Sequence, residues 1–232
     1  MIRRLTLLAI VSAAACGFHP SADITALDAG GTTDASQLDD ARDLDANHVV
    51  PADAAPVVVT LRQTATDTPS SGHSDQCLTA GPATHAEAYA RLFVLATAWH
   101  LTRVDFDASA QNASGIIVHV GIYSGDPADT TLGAGAITWL AQTPAFSVAD
   151  GDVFSHAALD ADLPQSANMI IAIASPDYAS GSTFAIEGAS GGETGPSYWQ
   201  APGCSTTDLA ERDGRNNADV GTFIIDAEGY AP

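Results

Sequence analysis

Ile116-Ile117-Val118-His119-Val120-Gly121-Ile122-Tyr123 is the stretch on which the fold turns. Ile116, Val118, Val120 and Ile122 recur at every second position, with Ile117, His119, Gly121 and Tyr123 between them. Side chains alternate across a strand, so this period lays one apolar row against a core and the other row on the opposite face. Branched side chains suit that pleated surface, whereas a helix restricts their rotamers. Ser124-Gly125-Asp126-Pro127 follows, a cluster that favours a turn.

Runs of the same texture lie at 57–62, 88–95, 101–108, 137–140, 153–159, 169–174, 183–187 and 222–226. Gly, Pro, Asp and Ser clusters separate them, as at 175–181. The Ala-rich stretch 84–98 is the nearest contender for a helix. Its alternation of Tyr89, Arg91 and Phe93 with Ala90, Leu92 and Val94 favours a strand. Short strands with such punctuation predict an all-β domain over residues 56–232, an antiparallel, jelly-roll-like β-sandwich of about eight or nine strands. A domain of that size buries roughly 70% of its unfolded surface.

The N-terminus reads differently. Met1-Ile2-Arg3-Arg4 is a basic head, and residues 5–15 are uncharged. A spanning helix needs roughly 20 apolar residues, so the shorter run predicts a signal peptide over 1–15. It ends in Ala13-Ala14-Ala15-Cys16-Gly17, which resembles the lipobox of bacterial lipoproteins. The resemblance implies cleavage before Cys16, a diacylglycerol thioether on its sulfur and an acyl chain on its freed amine. Several acyl chains make anchoring effectively permanent. Gly17, where Asp would favour retention at the inner membrane, points toward the outer membrane or cell surface. The alternative is an ordinary signal peptide cut after Ala-x-Ala.

Residues 16–55 form the predicted tether. After Phe18 the stretch has no aromatic residue, and it carries eight Asp against one Arg. Such a composition cannot bury enough apolar surface to offset the entropy of ordering, so disorder is expected. Over the whole chain the net charge is −20, and there is no Lys. A chain so acidic is repelled by phosphate backbones, which sets nucleic acid aside as a partner.

Beyond Cys16 two cysteines remain, Cys77 and Cys204. In an oxidising compartment a lone pair bridges, so a Cys77–Cys204 disulfide is expected; a reactive thiol is the alternative.

Thr194-Gly-Pro-Ser-Tyr198, Ala201-Pro-Gly-Cys204 and the turn-like Asp208-Leu209-Ala210 resemble elements of the C-terminal β-sandwich domains carried by many secreted bacterial proteins. Tyr89–Leu95, Leu101–Phe106 and Ile117–Tyr123 resemble strands of the same domains, and the likeness covers about residues 85–228. It implies a non-catalytic accessory module, usually appended to a protease or adhesin. Here the module follows a predicted anchor and not an enzyme.

Several constellations carry candidate chemistry. Gly188-Ala-Ser190-Gly-Gly192 spells a hydrolase elbow, yet Pro196 follows too soon for the helix that motif needs. A Gly-rich turn is the competing reading. His85-Ala-Glu87 spells part of a zinc-deaminase signature without its paired cysteines. The seven His nowhere repeat at i, i+4. Asp105 with Asp107, Asp126 with Asp129, Asp150 with Asp152, and Asp208 with Asp213 and Asp219 could supply oxygens to a structural Ca²⁺; solvated turns are the alternative. Tyr198, Trp199, Tyr178 and Trp99 fall in or near predicted loops, where aromatic faces could stack on sugar rings; alternatively Tyr198 and Trp199 fold over the core. The functions left open are a surface module binding a glycan or an envelope protein, a hydrolase, and a purely structural envelope protein.

Overall fold

A computed structural model describes residues 55–64, 68–74, 76–77, 85–178, 181–189, 195–212 and 222–232. The predicted signal peptide, Cys16 and the tether up to residue 54 lie outside them, as do Ser190, Asp213 and Asp219.

The described chain is built from strands, with two single 3₁₀ turns and no α-helix. In order they are β1 (Val59–Leu61), β2 (Pro69–Ser74), β3 (Glu87–Val94), β4 (Trp99–Gln111) and β5 (Ser114–Tyr123). Then come β6 (Thr131–Leu132), β7 (Ile137–Gln142), β8 (Phe146–Ser147), β9 (Gly151–Leu163) and β10 (Asn168–Ser175). The last five are β11 (Thr183–Ala189), β12 (Ser197–Ala201), β13 (Thr206–Glu211), β14 (Thr222–Phe223) and β15 (Ile225–Tyr230).

All pairing is antiparallel and falls into two sheets. The first runs β1-β15-β4-β11-β14, with β2 beside β11 and β9 beside β4. The second runs β6-β13-β12-β3-β10-β5-β7, with β8 beside β5. Successive long strands change sheets: β3 lies in the second, β4 in the first, β5 in the second, β9 in the first, β10 in the second and β11 in the first. This alternation is the winding of a jelly roll. Each run of period-two sequence forms a strand, and five further described strands (β2, β6, β8, β12 and β13) fall in stretches that the alternation does not mark.

The inward rows meet in one core. Ile116, Val118 and Val120 of β5 lie beside Met169, Ile171 and Ile173 of β10 on the inner face of the second sheet, and across the gap lie Leu101, Val104 and Phe106 of β4 with Phe184 and Ile186 of β11. Tyr89 joins the sheets, its ring edge-on to Phe184 at 6.1 Å and to Phe223 at 5.3 Å. Burying side chains of this size stabilises by about 1.5–3 kcal/mol each. Arg91 is also buried: its guanidinium donates to Gln63 Oε1 at 2.9 Å and Ser197 Oγ at 2.7 Å. Ser197 Oγ accepts a second bond, at 3.0 Å, from the Phe223 amide on the opposite sheet.

The second sheet has a covered outer face as well. Residues 124–136 leave β5, fold back across the sheet and return as β7, with β6 pairing β13 on the way. Beneath this flap Leu132, Tyr198, Leu209, Leu92, Ile170 and Tyr123 form a second apolar cluster. Tyr198 Oη donates to Asp129 O at 2.9 Å, and Tyr123 Oη donates to Asp129 Oδ2 at 2.6 Å.

The expected disulfide is present: Cys77 and Cys204 are bridged with a Cα–Cα distance of 5.8 Å. It fastens the segment before β3 to the turn after β12.

Candidate functional site

The four aromatics expected to offer a stacking platform do not form one. Tyr198 and Trp199 belong to strand β12, Tyr198 under the flap and Trp199 in the main core. Trp199 Nε1 donates to Glu87 Oε2 at 2.8 Å, and the Arg212 guanidinium lies 4.5 Å above its ring. Trp99 opens β4 and packs over Gly229. Tyr178 is buried and donates to Ser114 O at 2.9 Å, and burial pushes its phenol up to about 12. All four are at most 8% exposed, so the sugar-stacking reading is withdrawn for them. The physical reason is cover from distant chain: the flap hides Tyr198, and the opposite sheet hides Trp199.

The carboxylates are dispersed. Asp105 and Asp107 both occupy the outer face of β4, where Asp105 Oδ1 takes Arg103 Nε at 2.7 Å and His156 Nδ1 at 2.7 Å. Arg103 also reaches Glu228 at 2.6 Å. Asp150 Oδ1 accepts the Asn112 amide at 2.5 Å, Asp129 is held by Tyr123, and Asp208 is exposed on β13. Among the described residues no group of three or more His, Cys, Asp or Glu side chains forms a candidate metal site. Asp105 and Asp129 are thus engaged by Arg103, His156 and Tyr123, whereas Asp107 and Asp152 both lie near enough to Glu187 to raise its pKa.

Three buried polar residues escaped the sequence reading as functional elements. Glu87 accepts the Cys77 amide at 2.6 Å, Tyr89 Oη at 2.7 Å and Trp199 Nε1, so it anchors the disulfide segment to the core. That occupies the carboxylate that the deaminase-like spelling would have required. Arg91 ties the segment after β1 to β3 and β12. Glu187, on β11, is raised to about 7 by burial first, then by Asp152 and Asp107.

The exposed ring is a different tryptophan. Trp139, on edge strand β7, is 45% exposed. It stands opposite Gly121, where a Cβ would come within 2.9 Å of Trp139 Cε3 and 2.7 Å of Thr138 O. Glycine there lets the indole lie against the sheet. The His119 ring sits 5.3 Å away, and burial lowers its pKa, which favours the neutral imidazole. Leu140 is the extra residue of a register shift at this point, so Trp139 and Ala141 face opposite sides although period two would place them together. That bulge is why the sequence pattern did not single out Trp139.

From Trp139 and His119 the outer face continues as a shelf. Ile117 pairs with Ala174, Ala174 with Ala88, and Ala88 with Gln200. At its far end a cavity of about 210 Å³ is lined by Ala86, Glu87, Ala88, Ala174, Ser175, Gln200 and Pro202. Alanines keep the floor level with the strands, while the flap closes the neighbouring part of the same face over Ala90, Ala172 and Ile170.

The flap also yields a stability test. Tyr198→Phe removes the donor to Asp129 O and leaves the packing in place. It is expected to cost about 1 kcal/mol, read as a lowered urea midpoint with an unchanged slope.

Comparison with protein families, with curated proteins and with solved structures finds no match to this chain.

Proposed function

We propose that this chain is a lipid-anchored, extracytoplasmic, non-catalytic module that binds a glycan or an envelope protein at the outer membrane or cell surface. Residues 3–16 support the anchor: a basic head, an apolar run too short to span a bilayer and Cys16 after three alanines. The Cys77–Cys204 bridge suits an oxidising compartment. The observation that carries the binding role is Trp139, held against Gly121 and beside His119 with nearly half its surface open.

Full-length protein is expected in the membrane fraction, with lipid on Cys16 detectable by mass spectrometry. Cys16→Ser is expected to move it to the soluble fraction. Wild-type protein without lipid on Cys16, or a Cys16→Ser variant that stays with the membrane, overturns the anchor. For the binding role, soluble Cys16→Ser protein is expected to co-sediment with isolated cell envelopes, and Trp139→Ala is expected to reduce that sedimentation. Equal sedimentation of both overturns the binding role.

A further inference from the structure

We infer that the shelf between Trp139 and Gln200 on the outer face of the second sheet is a binding site for a neutral oligosaccharide. The inference rests on the proposed binding role and assigns it a ligand class and a position.

Four observations carry it. A sugar ring presents flat CH faces, and an exposed indole fixed against the sheet is the surface that accepts them. Trp139 is such an indole, kept in place by its contact with Gly121 and the neighbouring His119 ring. The open floor lies further along the same face, past His119, where Ala174 and Ala88 continue the row of Ile117 and let a ligand approach the strands closely. The row beside Trp139 itself, Gly121, Ile170 and Leu92, runs under the flap. Gln200 Nε2 donates one hydrogen to Thr207 O at 2.6 Å, and its second amide hydrogen and Oε1, with the neutral imidazole favoured at His119, supply the donors and acceptors that sugar hydroxyls require.

Dimensions and charge narrow the ligand. From Trp139 to Gln200 the face runs four inter-strand steps across and four residues along the strands, roughly 23 Å at sheet dimensions, which suits an oligosaccharide laid obliquely across the strands. The 210 Å³ cavity beyond Ala88 admits one projecting group and not a whole ligand. The chain's net charge of −20 repels uronates and phosphorylated glycans, so a neutral chain fits. The flap limits the shelf on one side, and the turn at Pro202 limits it on the other.

The test uses oxidised Cys16→Ser protein with four neutral probes: chitohexaose, cellohexaose, xylohexaose and mannohexaose. Polygalacturonate fragments serve as the anionic arm. Binding is read by calorimetry and by protection of tryptophan fluorescence from acrylamide, since Trp139 is the exposed indole and Trp99 and Trp199 are buried. At least one neutral probe should bind and protect. Trp139→Ala should weaken binding at least about tenfold, the loss of a stacked aromatic face. Gln200→Ala should weaken it less, and Leu140→Ala should leave it unchanged.

Failure of all four neutral probes overturns the inference, as does equal binding by Trp139→Ala. Preference for polygalacturonate overturns the neutral assignment. A dimer that dissociates on Trp139→Ala means that a second copy covers the face, and also overturns it. A lipidated protein that still sediments with envelopes while no glycan binds leaves the anchored module standing with a protein partner.

Discussion

Removing the disulfide with Cys77→Ala and Cys204→Ala should lower stability by about 5 kcal/mol, the loop-closure entropy for a separation of 127 residues. For a domain of this size that corresponds to a fall in Tm of roughly 10–20 °C. Two local features bear on the size of the loss. Cys77 is fully buried, so an alanine there also loses packing. In the other direction, Glu87 continues to hold the Cys77 amide after the sulfurs are gone, which preserves part of the attachment. Guanidinium unfolding of the oxidised protein and the double variant measures the difference. A change below about 1 kcal/mol would mean that Glu87 and the core already constrain this segment, and that the entropic reading of the bridge is wrong.

Glu187→Gln should stabilise the protein at pH 8 and remove a slope in stability between about pH 4.5 and 7. Burial is the main cause of the raised Glu187 pKa, with Asp152 and Asp107 adding to it. Because the folded value of about 7 exceeds the unfolded 4.5, the folded state binds the extra proton in this window. The contribution is fully present below pH 4.5 and is lost as pH rises through 7. Its upper size is about 3 kcal/mol, from the shift at 1.36 kcal/mol per unit. Glutamine keeps the shape and stays neutral, so the variant should gain up to that amount at pH 8 and little at pH 4. Urea midpoints at pH 4, 6 and 8 test this. Parallel pH profiles for both proteins would show that Glu187 does not titrate as argued.

The sheet-rich fold was legible because its signal is local. Ile116 to Ile122 alternates without interruption, and the strand follows from side-chain geometry alone. Within the Ala-rich stretch, Glu87–Val94 forms the strand that its alternation predicts, despite the alanines. What escaped depends on distant chain. Ser197–Ala201 looked like a loop because Gly195, Pro196 and Gly203 frame it. In the folded protein its two faces are both covered, one by the opposite sheet and one by the flap. Asp208-Leu209-Ala210 reads as a turn in isolation, yet Leu209 turns inward opposite Leu132 as part of β13. Trp139 was not among the sequence candidates, and the extra residue after it in the ladder sets its face apart from that of Ala141. The environment of Glu187 is assembled from β4 and β9, whose register with β11 no local pattern encodes.

The position of β15 imposes an order of events on the molecule. One edge of β4 is taken along its length by β9, while the other is divided between β15 and β11. Residues 225–230 leave the ribosome after the other described strands, yet they belong next to the middle of the first sheet. Until they arrive, the 100–106 portion of β4 offers bare amides and carbonyls to any neighbouring chain. Nascent polypeptide therefore has to be kept apart from its fellows until residues 225–230 have emerged, and shortening the chain before residue 225 would leave a sticky central strand rather than a smaller stable body.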